Sequence, residues 1–499
     1  MARFASVGSS LVFVARDDAR LAYFKGLVSA LTSDIELMEL PAWDCLPFDR
    51  LSPQGGLVGR RVETMALLAE AREHSSRILL TTVNAWLQRL PPKSYFGKSS
   101  LMLAPGLLQH DGQGGPSALS AFLAEHAYLR TDTVRETGEF AIRGGIFDVF
   151  PPGQDHPVRL DFFGNDVETI RFFDAATQRT TTTCDRLTLH PVAEFTLDDD
   201  AIARFRTGYL ELFGAKASRD PLYESISAGR THPGIEHWLP LFHAELATVR
   251  DYCPDWPVLL DHEAEAAIAA RFEQIDDFFT ARKTHDDDHS AHPYRPLPPD
   301  SLYLSHDENQ AQMRSDGVIR LVPFLPDAAA GGLSLQDAGG RPGLVLLKSD
   351  SSKMVSELLQ LITEERQSQR RPVILAYSSV GAANRMTDLI VAQGAPAPQQ
   401  IVSLEEACPG GLYLFHWQLD TGFQTDSLIV VSEPDLFGQR LSRPRSKRSR
   451  GDNFLREVGA LEAGDLVVHA EHGIGRYEGL ITINSVGGEH DCLHLIYAG

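Results

Sequence analysis

Residues Ser10 to Leu40 read SLVFVARDDARLAYFKGLVSALTSDIELMEL. Ser10 to Ala15 (SLVFVA) reads as a buried strand, with five apolar residues after the serine. Asp17 to Leu31 follows with apolar residues at helical spacing, and Ile35 to Leu40 is a second strand. Working outward, Arg60 to Arg72 is helical, Arg77 to Val83 (RILLTTV) is a strand, and Asn84 to Leu90 is a short helix. Strands alternating with helices predict a parallel α/β layer over residues 1–104.

The pattern changes near Ala104. A helix from Pro116 to Ala127 leads into short strands at Gly138 to Arg143, Gly145 to Phe150, Pro157 to Phe163 and Val167 to Phe173. These predict a compact antiparallel module within an α+β insertion, residues 105–190. Helix-forming text resumes at Asp198, runs past Phe279 and is assigned to 191–311. Lys283 to Pro299 (KTHDDDHSAHPYRPLPP) is polar and Pro-rich, hence a loop. A second α/β domain is predicted over 326–440. Its strands are Leu344 to Leu347, Pro372 to Tyr377, Leu412 to Trp417 and Ser427 to Val431, with a helix from Ser351 to Gln369. Residues 441–460 form a basic linker that holds most of the run Arg440 to Arg450 (RLSRPRSKRSR), and 461–499 are β-rich.

Composition bounds the functions open to this chain. Its 499 residues exceed one hydrophobic core and suggest about three or four domains. Hydrophobic residues make up 43% and charged residues 23%, as in ordinary globular proteins. There is no apolar run of about 20 residues to span a membrane. The segment Met1 to Ala5 is too weakly apolar for a signal peptide. Cys45, Cys184, Cys253, Cys408 and Cys492 are far apart and form no CxxC pair, which suits a reducing cytoplasm. A net charge of -21 lowers the expectation of an independent nucleic-acid binder.

Four passages carry a resemblance. They are PAWDCLPFDRLSPQ (Pro41 to Gln54), GEFAIRGGIFDVFPPG with VRLDFFGNDVETIRFFD (Gly138 to Asp174), HPGIEHWLPLF (His232 to Phe242) and GDLVVHAEHGIGRYEGL (Gly464 to Leu480). In order and spacing they resemble the N-terminal part of the bacterial transcription-repair coupling factors (Mfd). The resemblance implies an α/β multidomain chain. A degenerate helicase-like (UvrB-like) α/β domain would carry an inserted UvrA-binding α+β domain. A second α/β domain and an incomplete Tudor-like β-barrel, the start of the RNA polymerase-interacting domain, would follow. The family's ATP-driven motor and C-terminal autoinhibitory domain would lie beyond Gly499.

The resemblance also implies partners. They are UvrA, and the RNA polymerase β subunit, bound weakly or not at all by an incomplete domain. DNA is a partner of the full-length family and at most a weak one here. In the paired strands, Val158, Leu160 and Phe162 point inward, while Arg159, Asp161 and Phe163 point outward. Phe140 and Ile142 point inward, and Glu139, Ala141 and Arg143 outward. An exposed aromatic among arginines fits a protein-binding hot spot, and it also fits a surface ion pair beside a half-buried Phe. Arg143, Arg159 and Phe163 fall on motif positions that contact UvrA in the family. The C-terminal strands are Asp465 to His469, Gly475 to Asn484 and Asp491 to Tyr497. There Ile483 matches a polymerase contact, or is core.

Nucleotide chemistry needs GxxxxGK[ST]. The nearest candidate, Gly97-Lys98-Ser99, has Pro92 where the first glycine belongs, so Gly97-Lys98 reads as a turn. Asp307-Glu308-Asn309 lies in polar text and is no DExx box. No cofactor is expected in this chain; ATP and Mg belong to the family's motor. His285, Asp286, Asp287, Asp288, His289 and His292 read as a solvated loop rather than a metal site. His469 and His472 read as structural. The basic run reads as a flexible linker, with phosphate contact as the alternative. The function expected is therefore an adaptor that presents a UvrA-binding domain. The alternatives are an ATP-dependent DNA translocase, if further chain carries the motor, and a fragment without function.

Overall fold

The computed structural model describes residues 10–31, 35–70, 76–98, 100–108, 115–284, 294–315, 317–322, 341–342, 351–437, 466–469, 473–485 and 488–497. The basic run, the linker 441–460, the acidic His/Asp cluster from His285 and the strand expected at Leu344 to Leu347 lie outside these residues.

The opening unit folds as read. Strand β1 (Leu11–Ala15) leads through Arg16-Asp17 into the helix Asp18–Leu31, and β2 (Glu36–Leu40) and β3 (Arg77–Thr82) follow. The helix expected from Arg60 spans Gly55–Ala69 instead. Gly59, in its second turn, lets the inserted domain approach: a Cβ there would lie 3.1 Å from the Pro152 side chain. The short helix expected at Asn84 to Leu90 is a single turn, Val83–Trp86. Gly97-Lys98 closes a helix, Lys93–Lys98, rather than forming a turn.

The inserted domain contains β4 (Leu101–Ala104), β5 (Leu107–Leu108), β6 (Leu129–Arg130), β7 (Glu139–Arg143), β8 (Ile146–Val149), β9 (Val158–Phe163), β10 (Asp166–Phe173), β11 (Thr180–Thr183) and β12 (Leu187–Leu189). Strands β4 and β12 pair antiparallel, so the chain enters and leaves the domain side by side. Leu101 and Leu103 are buried in the same cluster as Phe122, Leu160 and Ile170, so β4 packs with the insertion although it precedes residue 105. Six strands form one sheet in the order β11-β10-β9-β8-β7-β6. It is antiparallel except at one edge, where β6 runs parallel to β7.

Beyond the insertion, the sequence promised continuous helix. Two strands interrupt it, β13 (Val258–Leu260) and β14 (Val318–Arg320). Both join the opening sheet, which is parallel throughout in the order β14-β13-β1-β3-β2. The first α/β domain therefore runs past 311, to Arg320 at least. Three-residue strands are too short to show an alternation that could be read. Asp307-Glu308-Asn309 is the first turn of the helix His306–Arg314, with Ser305 and Glu308 making a reciprocal capping box.

The second α/β sheet comprises β15 (Arg341–Pro342), β16 (Val373–Tyr377), β17 (Gln399–Ile401), β18 (Leu412–His416), β19 (Phe423–Gln424) and β20 (Ile429–Ser432). Its core strands β17, β18, β16 and β20 are parallel. At the C-terminus, β21 (Leu466–His469), β22 (Gly473–Ser485) and β23 (Gly488–Tyr497) form a three-stranded antiparallel sheet. Ile483 pairs with His490 in that register, and its side chain lies outside the described residues. No helix among the described residues is long and apolar enough to cross a membrane.

Candidate partner-binding site

The six-stranded sheet has two faces, and register assigns each residue to one. Phe140, Phe147, Val149, Val158, Leu160 and Ile170 fill the inner face and are buried. The outer face is built of rows across the strands. One row is Ala141–Asp148–Arg159–Arg171, and the next is Arg143–Ile146–Asp161–Thr169. Phe163 ends β9 one step further on, opposite Asp166. Gly164, at φ +63°, permits the tight turn that carries Phe163 out at the hairpin tip.

The three expected site residues share this face but differ in setting. Phe163 is 81% exposed, and its neighbour in the face, Ile146, is 38% exposed. Arg143 is exposed and donates through Nη2 to the Asp132 carbonyl at 2.6 Å and to Thr133 Oγ1 at 3.1 Å. Arg159 is mostly covered. Its Nε and Nη2 donate to the two carboxylate oxygens of Asp148 at 2.7 and 2.8 Å. Its guanidinium also lies 4.8 Å from the centre of the Phe173 ring. Asp161 accepts from Thr169 Oγ1 at 2.6 Å and from Arg171.

Ala141, expected outward, is only 2% exposed. It sits with Val134 and Phe173 in a small second core that covers one end of the outer face. The charged and apolar face open to a partner is thus the Arg143, Ile146, Asp161, Phe163 end. Sequence alternation missed Ile146 and Asp148. Ile146 opens a strand beside a Gly-Gly turn, and Asp148 shows its role only once register pairs it with Arg159.

The insertion is seated on the helix Gly55–Ala69. A Cβ on Gly153 (φ +78°) would fall 2.0 Å from the Glu63 carboxyl carbon. Burial, with Asp155 adding like charge, pushes the Glu63 carboxyl from 4.5 up to about 7. The folded chain thus holds a proton that the unfolded chain releases, so Glu63 lowers stability as pH rises from about 4.5 to 7. Glu63→Gln should flatten this part of the profile. Urea midpoints at pH 5 and pH 8 check it: an equal drop in both proteins would disprove the assignment.

Two other arrangements bring reactive or charged groups together. Cys45 Sγ lies 3.8 Å from His237 Nε2. Burial pushes the thiol up to about 12 and the imidazole down to about 3, so both rest in unreactive neutral forms. At the C-terminal edge of β1 and β13, where α/β folds bind phosphates, the helix Asp18–Leu31 begins with carboxylates. Asp17 accepts from the Arg20 amide at 2.7 Å, Arg20 pairs with Asp261 at 2.9 Å, and Arg16 pairs with Glu263. A crevice of about 930 Å³ opens there, lined by Arg16, Asp17, Arg20, Tyr23, His416 and Asp420 among others. Its two arginines are already neutralised by carboxylates, a poor setting for polyphosphate. No group of three His, Cys, Asp or Glu suited to a metal occurs among the described residues.

Comparison with known proteins places these modules. Residues 108–195 match the UvrB interaction domain, and residues 461–499 match the CarD-like/TRCF RID domain. The chain is 32% identical to the transcription-repair-coupling factor of Escherichia coli (strain K12), over 93% of this chain and 39% of that protein. It is 30% identical to that of Haemophilus influenzae, over 98% and 42%, and 26% identical to that of Bacillus subtilis (strain 168), over 88% and 37%. It is homologous to the N-terminal region of the transcription-repair-coupling factors and spans about two-fifths of the length of the first two relatives.

Proposed function

We propose that this chain is the adaptor region of a cytoplasmic transcription-repair coupling factor, which couples RNA polymerase stalled at DNA damage to excision repair by recruiting UvrA. The observation that carries this reading is the open end of the outer face, where Phe163, 81% exposed, stands near Arg143 and Ile146 on a rigid sheet. Large aromatic and arginine side chains dominate binding energy at protein interfaces, and here an aromatic and an aliphatic side chain are exposed together beside an arginine. The test is UvrA affinity of the Phe163→Ala and Arg159→Ala variants, for which unchanged binding would refute it.

In this reading the UvrB-like domain is a scaffold without nucleotide chemistry of its own, supported by the carboxylates around β1. ATP and Mg would serve the motor of the full-length family, as would DNA translocation.

Polymerase binding is the second part of the proposal. It rests on the match of residues 461–499 and on a long β22–β23 hairpin, which could extend a partner's sheet by its edge. Ile483→Arg should weaken capture of the polymerase β subunit by about tenfold or more if Ile483 is a contact. An unchanged affinity with an intact far-ultraviolet spectrum would reject that role.

A further inference from the structure

We infer that Asp148 and Phe173 are positioning residues for Arg159, which they hold so that a single edge of its guanidinium meets UvrA; this rests on the UvrA reading above.

An arginine on a sheet surface ordinarily samples many rotamers, and ordering it on binding costs affinity. Arg159 does not have that freedom. Asp148 sits directly opposite it across β8 and β9, and is itself only 2% exposed. The two form a fork-to-fork pair at 2.7 and 2.8 Å, the geometry that fixes a guanidinium in its plane. Phe173, fully buried, supports the guanidinium from below at 4.8 Å. These contacts use Nε and Nη2. Nη1 donates to no group among the described residues. The partner is therefore met by the remaining Nη1–Nη2 edge, where one N–H of each nitrogen points the same way, and the acceptor fitting it is a carboxylate taken end-on. Asp148 never touches the partner in this scheme. Its effect passes through Arg159.

A double-mutant cycle on the whole chain tests this, with UvrA affinity as readout and urea unfolding as control. Arg159→Ala should weaken binding about 30-fold, and Asp148→Asn, which keeps the shape and loses one acceptor, about tenfold. In the Arg159→Ala background, Asp148→Asn should then cost nothing further. It should even recover part of the lost stability, since it neutralises a carboxylate left buried and unpaired. Phe173→Leu, which keeps an apolar core but removes the ring face, should weaken binding about threefold. It serves if Asp148→Asn does not fold. An Asp148→Asn loss that adds in full to that of Arg159→Ala would overturn the inference, as would wild-type affinity in Asp148→Asn or, if that variant does not fold, in Phe173→Leu. If Phe163→Ala and Arg159→Ala both bind as wild type, the UvrA reading itself falls and takes the inference with it. If those two weaken and Asp148→Asn does not, only the positioning role falls.

Discussion

Phe163→Ala should weaken UvrA binding by about 2–4 kcal/mol, roughly 30- to 1,000-fold, while leaving the fold unchanged. The side chain is 81% exposed, so removing it creates no cavity and should shift stability by no more than about 0.5 kcal/mol. Arg159 is a less clean probe. Arg159→Ala removes the partner of Asp148, a carboxylate with 2% exposure, and so adds a folding cost of about 3 kcal/mol or more. A doubly substituted Arg159→Ala, Phe163→Ala chain should lose detectable UvrA capture in a pull-down, but only Phe163→Ala separates recognition from folding. Titration of UvrA against folded, urea-calibrated protein decides it. A Phe163→Ala chain that binds within twofold of wild type would remove the central contact of the proposed interface.

How much of this could be read beforehand depends on the range of each interaction. The β1–helix–β2 unit is local, and its periodicity alone placed it. The outward set Arg159, Asp161 and Phe163 followed from alternation, because strand direction fixes faces without knowledge of neighbours. Alternation could not say that outward means solvent. Ala141 points outward and is buried, because Val134 and Phe173 close over it. Asp148 is invisible to local reading for the same reason: only cross-strand register makes it the partner of Arg159. Strands β13 and β14 escaped because each has three residues and takes its identity from parallel neighbours distant in sequence. The helix expected from Arg60 begins at Gly55, and the close approach of the inserted domain to Gly59 within it shows only in the folded chain.

The interaction of longest consequence joins the insertion to its host domain, and its loss should be the most damaging single change. Arg61, with no exposed surface, donates through Nε and Nη2 to both carboxylate oxygens of Glu194, which is 1% exposed. Arg61 Nη1 donates to the Pro41 carbonyl at 2.6 Å, and Trp43 Nε1 donates to Glu194 at 3.0 Å. His243 reaches the Glu194 backbone carbonyl at 2.8 Å. Passages around Pro41 and Phe242 that looked merely distinctive in the sequence thus converge on Glu194, five residues past β12 (Leu187–Leu189), the last strand of the inserted domain. Glu194→Ala leaves the Arg61 cation buried without its counter-ion and the Trp43 indole without its acceptor. The expected cost is about 3–5 kcal/mol, a large share of a domain stability of about 5–15 kcal/mol. Urea unfolding should show the midpoint fall, and much of the protein should become insoluble on expression. Replacing both partners, Arg61→Met with Glu194→Leu, should recover most of the loss, since no charge then remains buried. The recovery should stop short of wild type by about 1–3 kcal/mol, because the Trp43 N–H still lacks an acceptor. A Glu194→Ala chain that loses less than about 1 kcal/mol would show that water reaches Arg61 and that the ion pair is not what fixes the insertion to its host.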